Sequence, residues 1–99
     1  MENKLYRYET DKSTEEFTGN LELKEFLIEK ETEKGYWITV NRKKKFILKG
    51  GNGKRFAYET KELALNGFIK RKERQIVLNK VFINRANTEL EKAIELLTT

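Results

Sequence analysis

The 99-residue chain has no cysteine, no histidine and no proline, and only one tryptophan and one methionine. Without cysteine there are no disulfides and no thiolate metal sites. Without histidine the commonest transition-metal ligand and general base is gone, so a zinc enzyme or a Ser-His-Asp hydrolase is excluded. Proline is missing as a helix breaker, which leaves a long helix free to run. Long apolar runs are also missing: Met1-Glu2-Asn3-Lys4 leads into polar residues, and no stretch approaches membrane-spanning length. A cytoplasmic protein with no cofactor and no metal is expected.

What is present in quantity is charge, at 37% of residues against 37% apolar. That is the composition of one soluble domain over 1–99, lean enough that a partner chain is expected to cover part of its surface. The charge is segregated. Residues 1–34 hold 6 Lys and Arg against 10 Asp and Glu, residues 35–85 hold 14 against 3, and residues 86–99 hold 1 against 3, within a total of +5. The middle block presents either a solvated lysine-rich face or a positive surface for phosphate or a carboxylate-rich partner.

Apolar periodicity predicts an α+β fold, an antiparallel meander of four to five strands followed by a long C-terminal helix. Leu5-Tyr6-Arg7-Tyr8 reads as a short strand, and Leu21–Ile28 as a strand bulged at Lys24-Glu25, or else a short helix. Tyr36-Trp37-Ile38-Thr39-Val40 is rich in aromatic and β-branched residues. Asn41-Arg42 closes a tight hairpin onto a strand containing Phe46-Ile47-Leu48. Gly50-Gly51-Asn52-Gly53 forms a loop, and Arg55-Phe56-Ala57-Tyr58 a last short strand.

At Thr60 the period changes to about three and a half, with Thr60 as N-cap and Glu62 in the first turn. Ile69, Ile76, Ile83, Leu90 and Leu97 recur every seventh residue. One long or gently kinked helix to Leu97, roughly 55 Å, is favoured over a break near 84–88, where Thr88 and Glu91 have capping-box spacing. The sheet part is thus 1–59 and the helical part 60–97. Ile76-Val77-Leu78 and Val81-Phe82-Ile83 are apolar around most of the circumference, so the helix is expected to build a homo-oligomer.

Chemistry-bearing candidates are few. Lys49-Gly50-Gly51-Asn52-Gly53-Lys54-Arg55 is rich in glycine but departs from a nucleotide P-loop, because arginine follows the lysine and a strand, not a helix, comes next. Arg71 and Arg74 lie three apart on one side of the helix and form a pair shaped to hold phosphate, unless Glu73 neutralises them. Lys54 and Arg55 are expected to close that site, with Trp37, Phe56 or Tyr58 stacking on a base if they are not simply core. Carboxylates at 9–33 lack any metal-ligand spacing.

Lys54-Arg55-Phe56-Ala57-Tyr58-Glu59-Thr60-Lys61-Glu62, with Ala64-Leu65, Phe68-Ile69, Arg71-Lys72 and Gln75-Ile76, resembles a family of small hypothetical proteins encoded by tailed phages and prophages. Lys34-Gly35-Tyr36-Trp37-Ile38 and Lys43-Lys44-Lys45-Phe46 extend the likeness, which covers most of residues 34–97. It implies an accessory phage protein acting inside an infected bacterium. The architecture is similar to that of phage sponges that sequester nucleotide immune signals between subunits. The expected function is therefore non-enzymatic sequestration of an anionic nucleotide signal, with inhibition of a host defence or CRISPR nuclease, or non-specific nucleic-acid binding, as alternatives.

Overall fold

The computed structural model describes residues 3–13, 16–50 and 55–99. It is an α+β arrangement of five strands and one helix: β1 (Lys4–Thr10), β2 (Leu21–Leu27), β3 (Lys30–Glu31), β4 (Gly35–Val40), β5 (Lys43–Leu48) and α1 (Lys61–Thr98). The strands form two antiparallel sheets, β1-β2 and β3-β4-β5.

In the first sheet the register runs unbroken from Lys4 opposite Leu27 to Thr10 opposite Leu21. The bulge expected at Lys24-Glu25 is therefore not there; these residues face Arg7 and Tyr6 in regular ladder positions. Irregular apolar spacing in β2 has a simpler cause, since only Leu23 and Phe26 are even half-buried and the rest of the strand is exposed.

The hairpin between β4 and β5 turns through Asn41 (φ 51°) and Arg42 (φ 67°), both left-handed. Two consecutive positive φ values in a two-residue loop make a type I′ turn, whose twist matches that of the flanking strands. Asparagine tolerates that geometry, whereas an arginine with a Cβ does so at a cost of about 1–2 kcal/mol.

The alternation of β4 and β5 sorts their side chains onto two faces. Ile38 and Ile47 point inward and, with Leu5 and Ala57, form the buried core, against which Phe26, Ile28, Tyr36, Val40 and Phe56 pack. Trp37, Lys44 and Phe46 occupy the opposite face, with Lys30 of β3 opposite Trp37. Gly35 is required where β4 begins, because a Cβ there would run into the carbonyl oxygen of Ile47 across the ladder.

Residues 55–58 are not a strand, contrary to the pattern of their side chains. They make a single antiparallel bridge, Tyr6 to Tyr58, with Tyr6 N–H donating to the Tyr58 carbonyl at 2.7 Å and Tyr58 N–H to the Tyr6 carbonyl at 2.8 Å. One bridge is enough to drive Ala57 into the core at 0% exposure.

Helix α1 starts where expected: the Leu63 N–H donates to Thr60 Oγ1 at 3.1 Å, a side-chain N-cap, and Glu62 lies in the first turn. It runs without interruption through 84–88, where Thr88 Oγ1 donates to the Asn84 carbonyl and caps nothing. No helix of the described residues is long and apolar enough to cross a membrane.

The chain divides into two compact units, 1–68 and 69–99. The boundary falls nine residues beyond the start of the helical part drawn from sequence because Ala64, Gly67 and Phe68 in the first two turns are buried. A Cβ on Gly67 would lie 2.5 Å from Tyr58 Cε2, so the absent side chain is what lets the tyrosine ring sit against the helix. From Ile69 onward no residue is buried.

Two substitutions should move stability in opposite directions. Arg42→Gly removes left-handed strain and, after the entropy that glycine adds to the unfolded chain, should stabilise by about 0.5–1 kcal/mol. Gly67→Ala gains roughly 1 kcal/mol of helix propensity, yet the overlap with a ring fixed by the Tyr6 bridge costs about 1–3 kcal/mol, so a net loss is expected. Urea unfolding of the two variants checks both signs.

Candidate functional site

The segment held by the Tyr6–Tyr58 bridge runs beside β5, and between them is a recess of about 250 Å³ lined by Lys45, Phe46, Ile47, Leu48, Arg55 and Phe56. This volume is just below the usual range of small-ligand clefts, about 300–1,000 Å³. It suits a phosphate group with part of what it is attached to.

Arg55 is the chemically distinctive wall of this recess. Its side chain is only 10% exposed, and Nη1 lies 2.8 Å from Glu59 Oε1. Among the described residues Nε and Nη2 are buried with no hydrogen-bond partner. Those two N–H groups leave the guanidinium along the same edge, the one that accepts two oxygens of a phosphate or carboxylate side-on. Glu59 holds the opposite end. Glu59 Oε1, though close to Nη1, receives no well-aligned hydrogen bond, so the contact is an ion pair that anchors the group without using its binding edge.

Arg7 provides an internal comparison. It is similarly covered, but Nε pairs with Glu9 at 2.8 Å, Nη1 donates to the Phe56 carbonyl at 2.8 Å, and the guanidinium lies 4.4 Å from the centre of the Phe56 ring. Arg7 is a structural arginine with its donors employed on the protein. Arg55 is not.

The surrounding electrostatics favour an ionised Glu59. Burial acts to raise its carboxyl, but the Arg55 contact outweighs this, helped by a backbone amide and by the Tyr36 hydroxyl at 3.4 Å, and the group titrates below the ordinary carboxylate range. The Tyr36 hydroxyl is pushed up, by burial first and by the Glu59 charge second. Lys49 lies over the Tyr36 ring at 5.1 Å and pairs with Glu31 at 2.8 Å, which raises the lysine.

The residues expected to form one site are distributed as follows. Arg55 and Phe56 share the recess, and the Tyr58 ring lies 5.3 Å from the Arg55 guanidinium. Both rings are engaged by the protein: Phe56 by Arg7 and by Lys45 at 4.6 Å, and Tyr58 by its fit over Gly67. Trp37 packs on Phe46 with ring centres 5.0 Å apart and lines a separate recess of about 400 Å³ with Glu29, Lys30 and Lys44. Lys54 lies outside the described residues. Arg71 and Arg74 belong to the second unit, where Arg71 is half-buried and Arg74 exposed.

Sequence reading missed Lys45, Phe46 and Glu59 as site residues. Glu59 had a usable signal, the four-residue spacing from Arg55, which goes unnoticed when 55–58 is taken for a strand with alternating sides. Among the described residues no group of His, Cys, Asp or Glu could hold a metal ion.

Because the folded-state value for Glu59 is depressed, its contribution to stability is complete above the unfolded carboxylate value and is lost as pH falls through the folded one. Wild-type protein should therefore lose stability on acidification from neutral pH more steeply than Glu59→Gln, with the two converging in acid. Glu9, lowered by Arg7 and Lys24 against an opposing burial effect, contributes to both curves. The difference between thermal unfolding midpoints across the pH series isolates Glu59.

No family profile, curated protein or solved structure matches the chain.

Proposed function

We propose that this chain is a non-catalytic binding protein for an anionic, phosphate-bearing ligand, docked on the unoccupied edge of Arg55. The observation that carries this reading is the pair of buried, unpartnered donors Nε and Nη2 on Arg55, a residue that lines a recess; both atoms are closed to solvent, so a ligand reaches them when the side chain turns outward. A buried donor without a partner costs about 1–3 kcal/mol, and an oxyanion supplies the missing acceptors in one step. Lys45 adds a second positive charge at the recess.

The likeness in architecture to phage sponges, and not the resemblance to phage accessory proteins, suggests a nucleotide signal as the ligand and sequestration as the mode of action. Among the described residues the recess lining holds no serine, threonine, cysteine or carboxylate, so the ligand should leave as it arrived. Arg71 and Arg74 belong to the second unit and are not assigned to this site.

A second reading, non-specific binding of single-stranded nucleic acid, is supported by a different surface. Arg42 is exposed in the hairpin turn, and Lys44 and Lys30 are exposed beside the Trp37–Phe46 pair on the outer face of β3, β4 and β5. Such a platform would bind with a steep salt dependence, whereas a single phosphate on Arg55 would not.

Calorimetry with mononucleotides and cyclic dinucleotides, with inorganic phosphate as competitor, tests the first reading. Arg55→Lys keeps the charge but loses the side-on pair. It should weaken binding roughly 10- to 100-fold, as expected for a charged hydrogen bond of about 1.5–3 kcal/mol. Equal affinity for wild type and Arg55→Lys, or recovery of hydrolysed nucleotide, would overturn the proposal.

A further inference from the structure

The second unit, 69–99, is a helix whose large apolar residues are uncovered. Ile76, Val77, Phe82, Ile83 and Leu90 are each between 54% and 60% exposed, and Leu97 is 85% exposed. Ile69, Ile76, Ile83, Leu90 and Leu97 recur at seven residues and define the first seam of a heptad. Lys72, Asn79, Ala86 and Ala93, three residues after each of the first four, define the second. The first seam is large and branched throughout; the second is polar or small throughout.

That asymmetry discriminates between the two ways of pairing a helix with its own copy. In a parallel pair each layer matches a residue with itself, giving Ile against Ile and Ala against Ala, with Lys72 against Lys72. In an antiparallel pair each layer matches one seam with the other. Residue numbers that add to 169 then meet: Ile76 with Ala93, Ile83 with Ala86, Leu90 with Asn79, and Leu97 with Lys72 of the second copy. Each layer joins one large side chain to one small or flexible one, the condition for uniform separation along the seam. The Lys72 stem covers Leu97 while its ammonium reaches water.

Charge selects the same orientation. Residues 69–80 carry five Lys and Arg against one Glu, whereas residues 86–99 carry one Lys against three Glu. Antiparallel pairing sets the basic block beside the acidic one, with Arg74 level with Glu95 and Lys80 level with Glu89. The two helix dipoles also oppose each other favourably. Parallel pairing would set five cations beside five. The 169 register places the two-fold axis between residues 84 and 85, the middle of the unit, so the whole of it is used.

We infer that residues 72–97 are a self-association surface that receives a second copy of this chain antiparallel, with Ile83 beside Ala86 of the partner at the two-fold axis. This inference is independent of the ligand reading above, since none of its residues lines the Arg55 recess.

The test uses the full-length chain, whose lack of cysteine removes background disulfides. Lys72→Cys and Leu97→Cys are made as single variants and oxidised mildly, alone and mixed. The mixture should give a disulfide-linked species of twice the 11.8 kDa chain mass, severalfold more abundant than from either variant alone. Homodisulfides from each variant alone, as abundant as from the mixture, would overturn the orientation. Native mass spectrometry of the unsubstituted protein should show an even-numbered oligomer, and a monomer at micromolar concentration would overturn the surface itself.

Discussion

The pair of hydrogen bonds between Tyr6 and Tyr58 decides where the rest of the sheet unit can go. Residues 55–60 have no ladder of their own beyond this bridge, yet three consequences depend on it. Ala57 is carried into the core between Leu5, Ile38 and Ile47. Arg55 and Phe56 are brought against β5, and Thr60 is delivered two residues later as the cap of α1. The core itself is thin. Leu5, Ile38 and Ile47 are the large buried aliphatics, each worth about 1.5–3 kcal/mol, so a two-bond clamp of about 1–3 kcal/mol is a substantial share of the unit's stability.

Against so small a core, burying a guanidinium with three of its five N–H donors, those on Nε and Nη2, unpaired is expensive. Arg7 shows that this fold can satisfy an arginine fully when it uses Glu9, a carbonyl and an aromatic face together. At Arg55 the same chemistry is arranged differently: Glu59 fixes one end and nothing among the described residues takes the other. Retaining an unsatisfied buried polar edge costs stability, and proteins retain such costs where a ligand makes them good.

The elements legible in the sequence are those whose causes are local. Tyr36–Val40 is a strand by β-branched and aromatic content, Asn41-Arg42 a turn by length, and Thr60 a cap by the change of period that follows it. The continuity of α1 follows from the absence of proline and from the seven-residue recurrence. What was not legible depends on residues far away in sequence. The separation into two sheets, the regularity of β2 at Lys24-Glu25 and the demotion of 55–58 to a single bridge are all set by pairing with β1 or by packing on β4. The site follows the same rule. Arg71 and Arg74 stood out because their three-residue spacing is visible in the sequence, whereas Arg55 is distinguished by burial and by the direction of two N–H bonds, which no spacing encodes. Arg55 was named from its charge, without the property that makes it distinctive.

The two units solve different problems with the same basic residues. In the sheet unit a cation, Arg55, is withdrawn from water and anchored by Glu59. In the helical unit most of the cations are gathered in residues 69–80, where, in the pairing proposed above, they would set orientation and not affinity, as surface charges generally do. Exposed apolar side chains along 76–97 supply the driving force for association, and the large-with-small layering supplies its register. Because the Arg55 edge is built wholly from 1–68 and the seam wholly from 69–99, chemistry at one need not change chemistry at the other. Taken together, the two proposals would make pairing act through number: two Arg55 edges in one particle would give a multivalent ligand a second, intramolecular binding event.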